Sequence, residues 1–262
     1  MNIQIEFTNG IGNNLFQYIY ARLIAEDKGG GVSVVFKDGS EYAKGFFSQQ
    51  GIQLKTLDNP DQKLSGYFED YNFYINHIDQ IRSWFKPVEK INTKDLVFHL
   101  RLGDRLFMKE TYRWDIKIEP FQYVEAIHKF DFNRLHIVTD MKVWQHLTEK
   151  SLSNMCFHRG GPGGTLIKNH ANDREAIEYF NAIFDTLNEF KPIVRRNCSI
   201  SDDFDYMRSF GQILFQHSTL AWWAAMLSKA SRVGVYGPWR PQKGSNNKNL
   251  SQVKLPAWFQ WF

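Results

Sequence analysis

The chain has 262 residues, 43% of them hydrophobic and 23% charged, enough apolar material for one large or two small cores, which excludes intrinsic disorder. Its formal net charge of +4 comes without a Lys/Arg run, so it suits an anionic small molecule or an acidic surface better than a nucleic-acid groove. The two cysteines, Cys156 and Cys198, have no His/Cys neighbours at metal-ligand spacing, which argues against a disulfide scaffold and a zinc site.

Taken in chain order, residues 3–7 alternate and predict a strand, reached directly from Met1 with no signal-peptide pattern; no apolar stretch reaches bilayer length. A soluble, cytoplasmic protein is expected, with no transmembrane segment and at most weak peripheral membrane contact. A turn at Gly10 to Gly12 follows. Asn13 or Asn14 then caps a helix carrying Leu15, Phe16, Ile19, Tyr20, Leu23 and Ile24 on one face. Residues 32–36 predict a second strand. The span 37–70 reads as irregular, with turns at Asp38-Gly39 and Asn59-Pro60, and a helix over 73–85 stops before Pro87.

A polar linker at 88–94 opens a second α/β pattern. Strands are expected at 96–100, 134–139, 155–158, 212–215 and 232–236, with helices at 120–130, 142–150, 171–190 and 218–229. Alternation of this kind predicts a parallel sheet with helices on both faces. Two α/β domains follow, 1–93 and 94–262. The glycine-rich run 160–164 lacks the Gly-Lys-Ser/Thr ending of a phosphate loop and reads as a mobile loop.

The hexapeptide His99-Leu100-Arg101-Leu102-Gly103-Asp104 ends the apolar run 96–98. Open α/β sheets bind ligands beyond the carboxyl ends of their strands, which is where this turn falls. Arg101 offers a permanent planar charge for phosphate oxygens, Gly103 a sharp turn, and Asp104 a partner for Arg101 or a cap. A surface salt-bridged turn is the alternative. His99 shares the orientation of Arg101 and either bonds a ribose or phosphate or is a buried strand histidine. Ser218 and Thr219 open a helix, so they hold a phosphate, cap the helix, or both. Among carboxylates able to take a proton from an attacking hydroxyl, Asp104, Glu6, Glu69 and Asp70 stand equal. Asp140, ending the 134–139 strand, reads as structural or as a partner of another site residue.

Four further segments lie in the order of one family. These are Asn9-Gly10-Ile11-Gly12-Asn13-Asn14-Leu15-Phe16-Gln17-Tyr18; Leu64-Ser65-Gly66-Tyr67-Phe68 with Ile81-Arg82-Ser83-Trp84-Phe85; Asp203-Phe204-Asp205-Tyr206-Met207; and Gln216-His217-Ser218-Thr219-Leu220-Ala221-Trp222-Trp223. With the His99–Asp104 motif they resemble the α-1,2/α-1,6/protein-O-fucosyltransferase group, and within it the α-1,2-fucosyltransferases of glycosyltransferase family 11. The chain departs from that pattern at Leu102, where a second arginine is usual, at Asn14, and in the His-Ser-Thr-Leu-Ala reading of 217–221.

The resemblance implies a GT-B architecture, two Rossmann-like domains facing a cleft, with 1–93 on the acceptor side and 94–262 binding the nucleotide-sugar. It implies a metal-independent, inverting transfer of fucose from GDP-β-L-fucose to a glycan hydroxyl, with no cofactor beyond the donor substrate. Arg101 stabilises the diphosphate, with Asp104 beside it in the catalytic set. Gly12, Asn13, His99, Asp203, Ser218 and Thr219 complete the donor contacts, with Asp203 reading guanine. The alternative for Asp203 is the N-cap of the helix carrying Tyr206 and Met207. Animal relatives carry a membrane anchor, so a bacterial or viral type is expected here. A same-fold transferase with another donor, and a non-catalytic glycan- or nucleotide-binding protein, are the rival readings.

Overall fold

Strands that pair in parallel need cover on their faces, and the helical stretches between them supply it. A computed structural model describes residues 1–8, 10–37, 40–56, 59–89, 92–107, 118–153, 155, 157–159, 165–167, 174–216, 218–236 and 257–261, and shows a mixed α/β chain with parallel sheets. The turn expected at Asp38-Gly39, the 160–164 run and His217 lie outside the described residues. The chain divides into two compact units, one built on Met1–Pro87 and one beginning at Val88. Among the described residues no helix is long and apolar enough to cross a membrane.

In the first unit, β1 (Ile3–Phe7) buries Ile3, Ile5 and Phe7 and leads into α1 (Ile11–Asp27). The helix begins earlier than the sequence predicts. Gly10 is its N-cap, Gly12 and Asn13 lie in its first turn, and neither asparagine caps it. Asn14 is committed elsewhere, because its amide donates to Thr8 O at 2.9 Å and to Gln17 Oε1 at 3.1 Å. β2 (Val32–Phe36) pairs in parallel with β1, and the span expected to be irregular holds α2 (Ala43–Gln49) and β3 (Gln62–Leu64). β3 flanks β1 on its other side, giving the order β2-β1-β3. Phe47 of α2 packs on Phe7 at 5.3 Å, so tertiary contact holds a helix too short to show a period of its own.

The single helix expected over 73–85 is two, α3 (Tyr71–Ile75) and α4 (Ile78–Ser83). Asp70 caps the first, and the turn His77 N–H to Tyr74 O at 3.0 Å closes it. Tyr71 and Tyr74, both buried, meet Phe16 at 5.5 and 5.3 Å, and that contact fixes where the break falls.

The second unit opens with β4 (Asn92–Leu100), α5 (Pro120–Ile127) and β5 (Leu135–Thr139). Of the helix expected over 142–150 only α6 (Glu149–Ser153) forms. The backbone before it is satisfied by a side chain instead: Asn181 accepts from Leu147 N–H at 2.7 Å and donates to its carbonyl at 3.1 Å. β6 (Phe157–Arg159) pairs with β7 (Thr165–Ile167) in a separate two-stranded sheet, so the strand predicted at 155–158 does not join the main one. Then come α7 (Arg174–Asn188), β8 (Ile193–Arg195), α8 (Ile200–Arg208), β9 (Phe210–Gln216), α9 (Thr219–Met226), β10 (Arg232–Tyr236) and β11 (Phe259–Trp261). β8 and β11, three residues each, are too short to carry a readable alternation.

The main sheet has the order β11-β10-β9-β4-β5-β8, every pair parallel. Counted within the unit from β8 to β11, that is 3-2-1-4-5-6, the doubly wound order of Rossmann-like sheets. Leu96, Phe98 and Leu100 face the core made with Tyr123 and Ile127 of α5 and Phe180, Ile183 and Leu187 of α7. Alternation turns Val97 and His99 to the other face, beside His136 and Val138, where α8 lies. Phe98 is fully buried between strand neighbours and the Tyr123 ring. Phe98→Ala should lower the stability of this unit by about 3–5 kcal/mol, read as a fall in its urea midpoint.

Candidate functional site

In a doubly wound sheet the chain reverses its direction of travel between the first and fourth strands, and side chains at their carboxyl ends meet there without a connection in the way. Here those strands are β4 and β9, hydrogen-bonded neighbours with His99 opposite Phe215. Just beyond β4, the Arg101 guanidinium spans two carboxylates. Nη2 lies 2.6 Å from Asp104 Oδ1, and Nη1 meets Asp140 Oδ2 at the end of β5. Asp140 Oδ1 also accepts the N–H groups of Leu102 at 2.9 Å and Gly103 at 3.0 Å. One carboxylate therefore fixes both the turn and the charge that the turn carries.

Gly103 is glycine for room. Its φ is not left-handed, so the sharp turn expected of it does not need its backbone freedom. A Cβ there would sit 2.7 Å from Asp140 Cγ and closer still to Oδ2. From the β9 side, Gln216 donates to Arg101 O at 2.6 Å and accepts from Tyr123 Oη at 3.0 Å, tying the two strand ends together.

Ser218 caps α9, its Oγ accepting from Ala221 N–H at 3.3 Å, and Thr219 is the first helical residue. Capping is thus what the Ser218 hydroxyl does here, while the helix N-terminus opens at the same strand ends as Arg101. His99 is buried, and burial pushes its pKa down to about 4, with Arg101 and Arg105 adding to that against Asp140. The imidazole is therefore neutral at pH 7, and among the described residues its Nδ1 has no hydrogen-bond partner. His99, Arg101, Asp104, Ser218 and Thr219 are brought to one edge of one sheet.

Asp203 is not the cap of its helix. Ser199 is, its Oγ accepting from Asp202 N–H at 3.1 Å. Asp203 lies in the first turn of α8 and its Oδ1 is 3.4 Å from Arg195 Nε at the end of β8. Burial raises its carboxyl pKa, against the pull of Arg195. Its neighbour in sequence, Asp205, pairs with Arg208 at 3.0 Å. Two residues apart on a helix, these carboxylates diverge, and each pairs with a different arginine.

In the first unit, Gly12 and Asn13 are buried at the start of α1, over the carboxyl end of β1. There the structure joins two of the motifs read from the sequence: Gln17 Nε2 donates to Gly66 O at 2.9 Å and to Thr8 Oγ1 at 3.1 Å. Of the candidate proton acceptors, Asp104 holds Arg101, Glu6 lies 3.5 Å from Lys37, and Asp70 caps α3. Glu69 differs from all three. It is 2% exposed, among the described residues its Oε1 accepts no hydrogen bond, and burial alone pushes its pKa up to about 7.

No protein-family model, no curated protein and no solved structure matches this chain. The site rests on its own geometry. Asp140 has the structural and partnering role read from the sequence, while Gln216 was missed there, although it follows a predicted strand end where a polar residue is a signal. Arg195 carried no signal.

Gly103→Ala should displace the Asp140 carboxylate and destabilise the fold by about 1–3 kcal/mol. Because the clash is with that side chain, Asp140→Ala should absorb most of the penalty, and a double-mutant cycle by urea unfolding should give a coupling above roughly 0.5 kcal/mol. Glu69 sets a pH dependence. Below its ordinary pKa of 4.5 it is protonated folded or unfolded; from there to about 7 only the unfolded chain releases the proton, so stability falls as pH rises. At about 1.4 kcal/mol per pH unit the penalty reaches roughly 3 kcal/mol by pH 8. Urea unfolding at pH 5 and pH 8 should show Glu69→Gln gaining on wild type only at the higher pH; equal gains at both would show that Glu69 ionises normally.

Proposed function

We propose that the chain is a glycosyltransferase of the two-Rossmann-domain type, moving a sugar from a nucleoside diphosphate, with GDP-β-L-fucose the donor, to a hydroxyl of a glycan acceptor. The first unit serves the acceptor and the second the donor. One observation carries the reading: a carboxylate-positioned arginine and a helix N-terminus meet at the switch point of a 3-2-1-4-5-6 parallel sheet. That is a site for a nucleotide phosphate.

In the transfer, the acceptor oxygen bonds to the anomeric carbon from the face opposite the leaving group. The bond from that carbon to the β-phosphate oxygen breaks, the electron pair leaves with the diphosphate, and the hydroxyl proton passes to a carboxylate base, one of the candidates Asp104, Glu6, Glu69 and Asp70. Arg101 meets the charge that develops there, and the α9 N-terminus adds its partial charge. Fixed by Asp104 and Asp140, Arg101 needs no reorganisation at that moment. The neutral His99, whose Nδ1 has no partner among the described residues, supplies a hydrogen bond to ribose or phosphate. Because a side chain supplies the cation, we propose that the reaction is metal-independent.

Calorimetric titration of GDP, UDP, ADP and dTDP in excess chelator should show selective GDP binding, weakened in Arg101→Ala. Release of fucose from GDP-fucose by water should fall about a hundredfold in the same variant, the size of one lost charge-stabilising contact. Selective binding of another diphosphate keeps the transferase class and removes fucose. Binding of none removes the class.

A further inference from the structure

Asp203 can satisfy only half of a guanine ring, because a carboxylate accepts from N1–H and the N2 amine but has nothing to offer the acceptor atoms O6 and N7. The residue that completes the match stands beside it. We infer that Arg195 and Asp203 form one base-reading edge in the second unit, Arg195 donating to guanine O6 and N7 while Asp203 accepts from N1–H and the amine. The inference rests on the nucleotide-donor reading of the same unit.

Three observations support the pair. First, it is only loosely self-satisfied. Arg195 uses Nε alone, at 3.4 Å, and among the described residues neither Nη group donates a hydrogen bond and the second Asp203 oxygen accepts none. Their side chains are 27% and 17% exposed, enough to be reached and shielded enough to matter.

Second, the arginine is held in place. Its guanidinium lies 4.0 Å from the Tyr206 ring centroid; Tyr206 Oη is 2.7 Å from His136 Nδ1, and His136 Nε2 is 3.0 Å from Asp95 Oδ2. Asp95 and His136 are buried. A hydrogen-bonded chain from β4 through β5 to α8 thus fixes the ring on which Arg195 rests, and a planar fork so supported loses little freedom on bonding.

Third, the position fits. The pair lies on the sheet face that also carries His99. β8 stands two strands from β4, roughly 10 Å away, the reach from a diphosphate across a ribose to its base.

The recognition discriminates twice. Adenine places an amine donor where guanine has O6, against the Arg195 donors, and a bare ring nitrogen where guanine has N1–H, against the Asp203 acceptor. Uracil offers each residue one bond instead of two.

The test titrates GDP, inosine diphosphate and ADP into the full chain as wild type, Arg195→Gln, Arg195→Lys and Asp203→Asn, with circular dichroism confirming the fold of each. Inosine diphosphate keeps O6, N7 and N1–H but lacks the amine. Wild type should prefer GDP to both. Arg195→Gln should weaken GDP and inosine diphosphate alike, about tenfold to a hundredfold, and leave ADP unchanged. Arg195→Lys should resemble it, because a point charge cannot replace the fork. Asp203→Asn should instead narrow the preference for GDP over inosine diphosphate. A wild type selective for GDP whose preference over ADP survives both Arg195 variants overturns the inference and leaves the donor reading intact. A wild type that does not select GDP removes both. Loss of fold in Arg195→Gln leaves Arg195→Lys as the deciding variant.

Discussion

The second unit depends on how a permanent charge is kept at the end of a buried strand. β4 runs through the core, and Arg101 is the first residue beyond it that water can reach. Two carboxylates hold it, one three residues ahead in the same turn and one from the next strand. The second, Asp140, also takes two backbone N–H groups of the turn, which is why no side chain fits at position 103. Charge, turn and neighbouring strand end are set by one carboxylate, and a guanidinium fixed in this way is ready to meet an anion.

Around that point the unit treats its buried polar groups in two ways. Asp95, His136 and Tyr206 satisfy one another in a chain of hydrogen bonds, which stiffens the face on which α8 packs. His99 is left neutral, with one nitrogen unused among the described residues. Glu69, in the first unit, goes further, being buried with nothing among the described residues to bond its Oε1. Burial without a partner costs stability, and such costs collect where a protein handles ligands or protons.

Much of the fold was legible because the longer strands of the second unit, buried on both faces, read as apolar runs. The runs expected at 96–100, 134–139, 212–215 and 232–236 all became strands of one parallel sheet. β8 and β11, at three residues each, were not legible, since so few residues carry no period. The helix expected over 142–150 failed for another reason: an asparagine 34 positions along the chain from Leu147, Asn181, offers the backbone a better bond than the next turn of helix.

The site divides along the same line. By itself the sequence determined that Arg101, Asp104 and His99 stand at a strand end, that Ser218 opens a helix, and that the chain is α/β, because these follow from local pattern and chain direction. Which strands are neighbours follows from neither. Only the tertiary structure decided that β9 lies beside β4, that Asp140 and not Asp104 alone holds Arg101, that Ser199 displaces Asp203 as a cap, and that Arg195 stands at Asp203. Each is a contact between residues whose partner is chosen by sheet order and helix packing, and a single sequence does not record that choice.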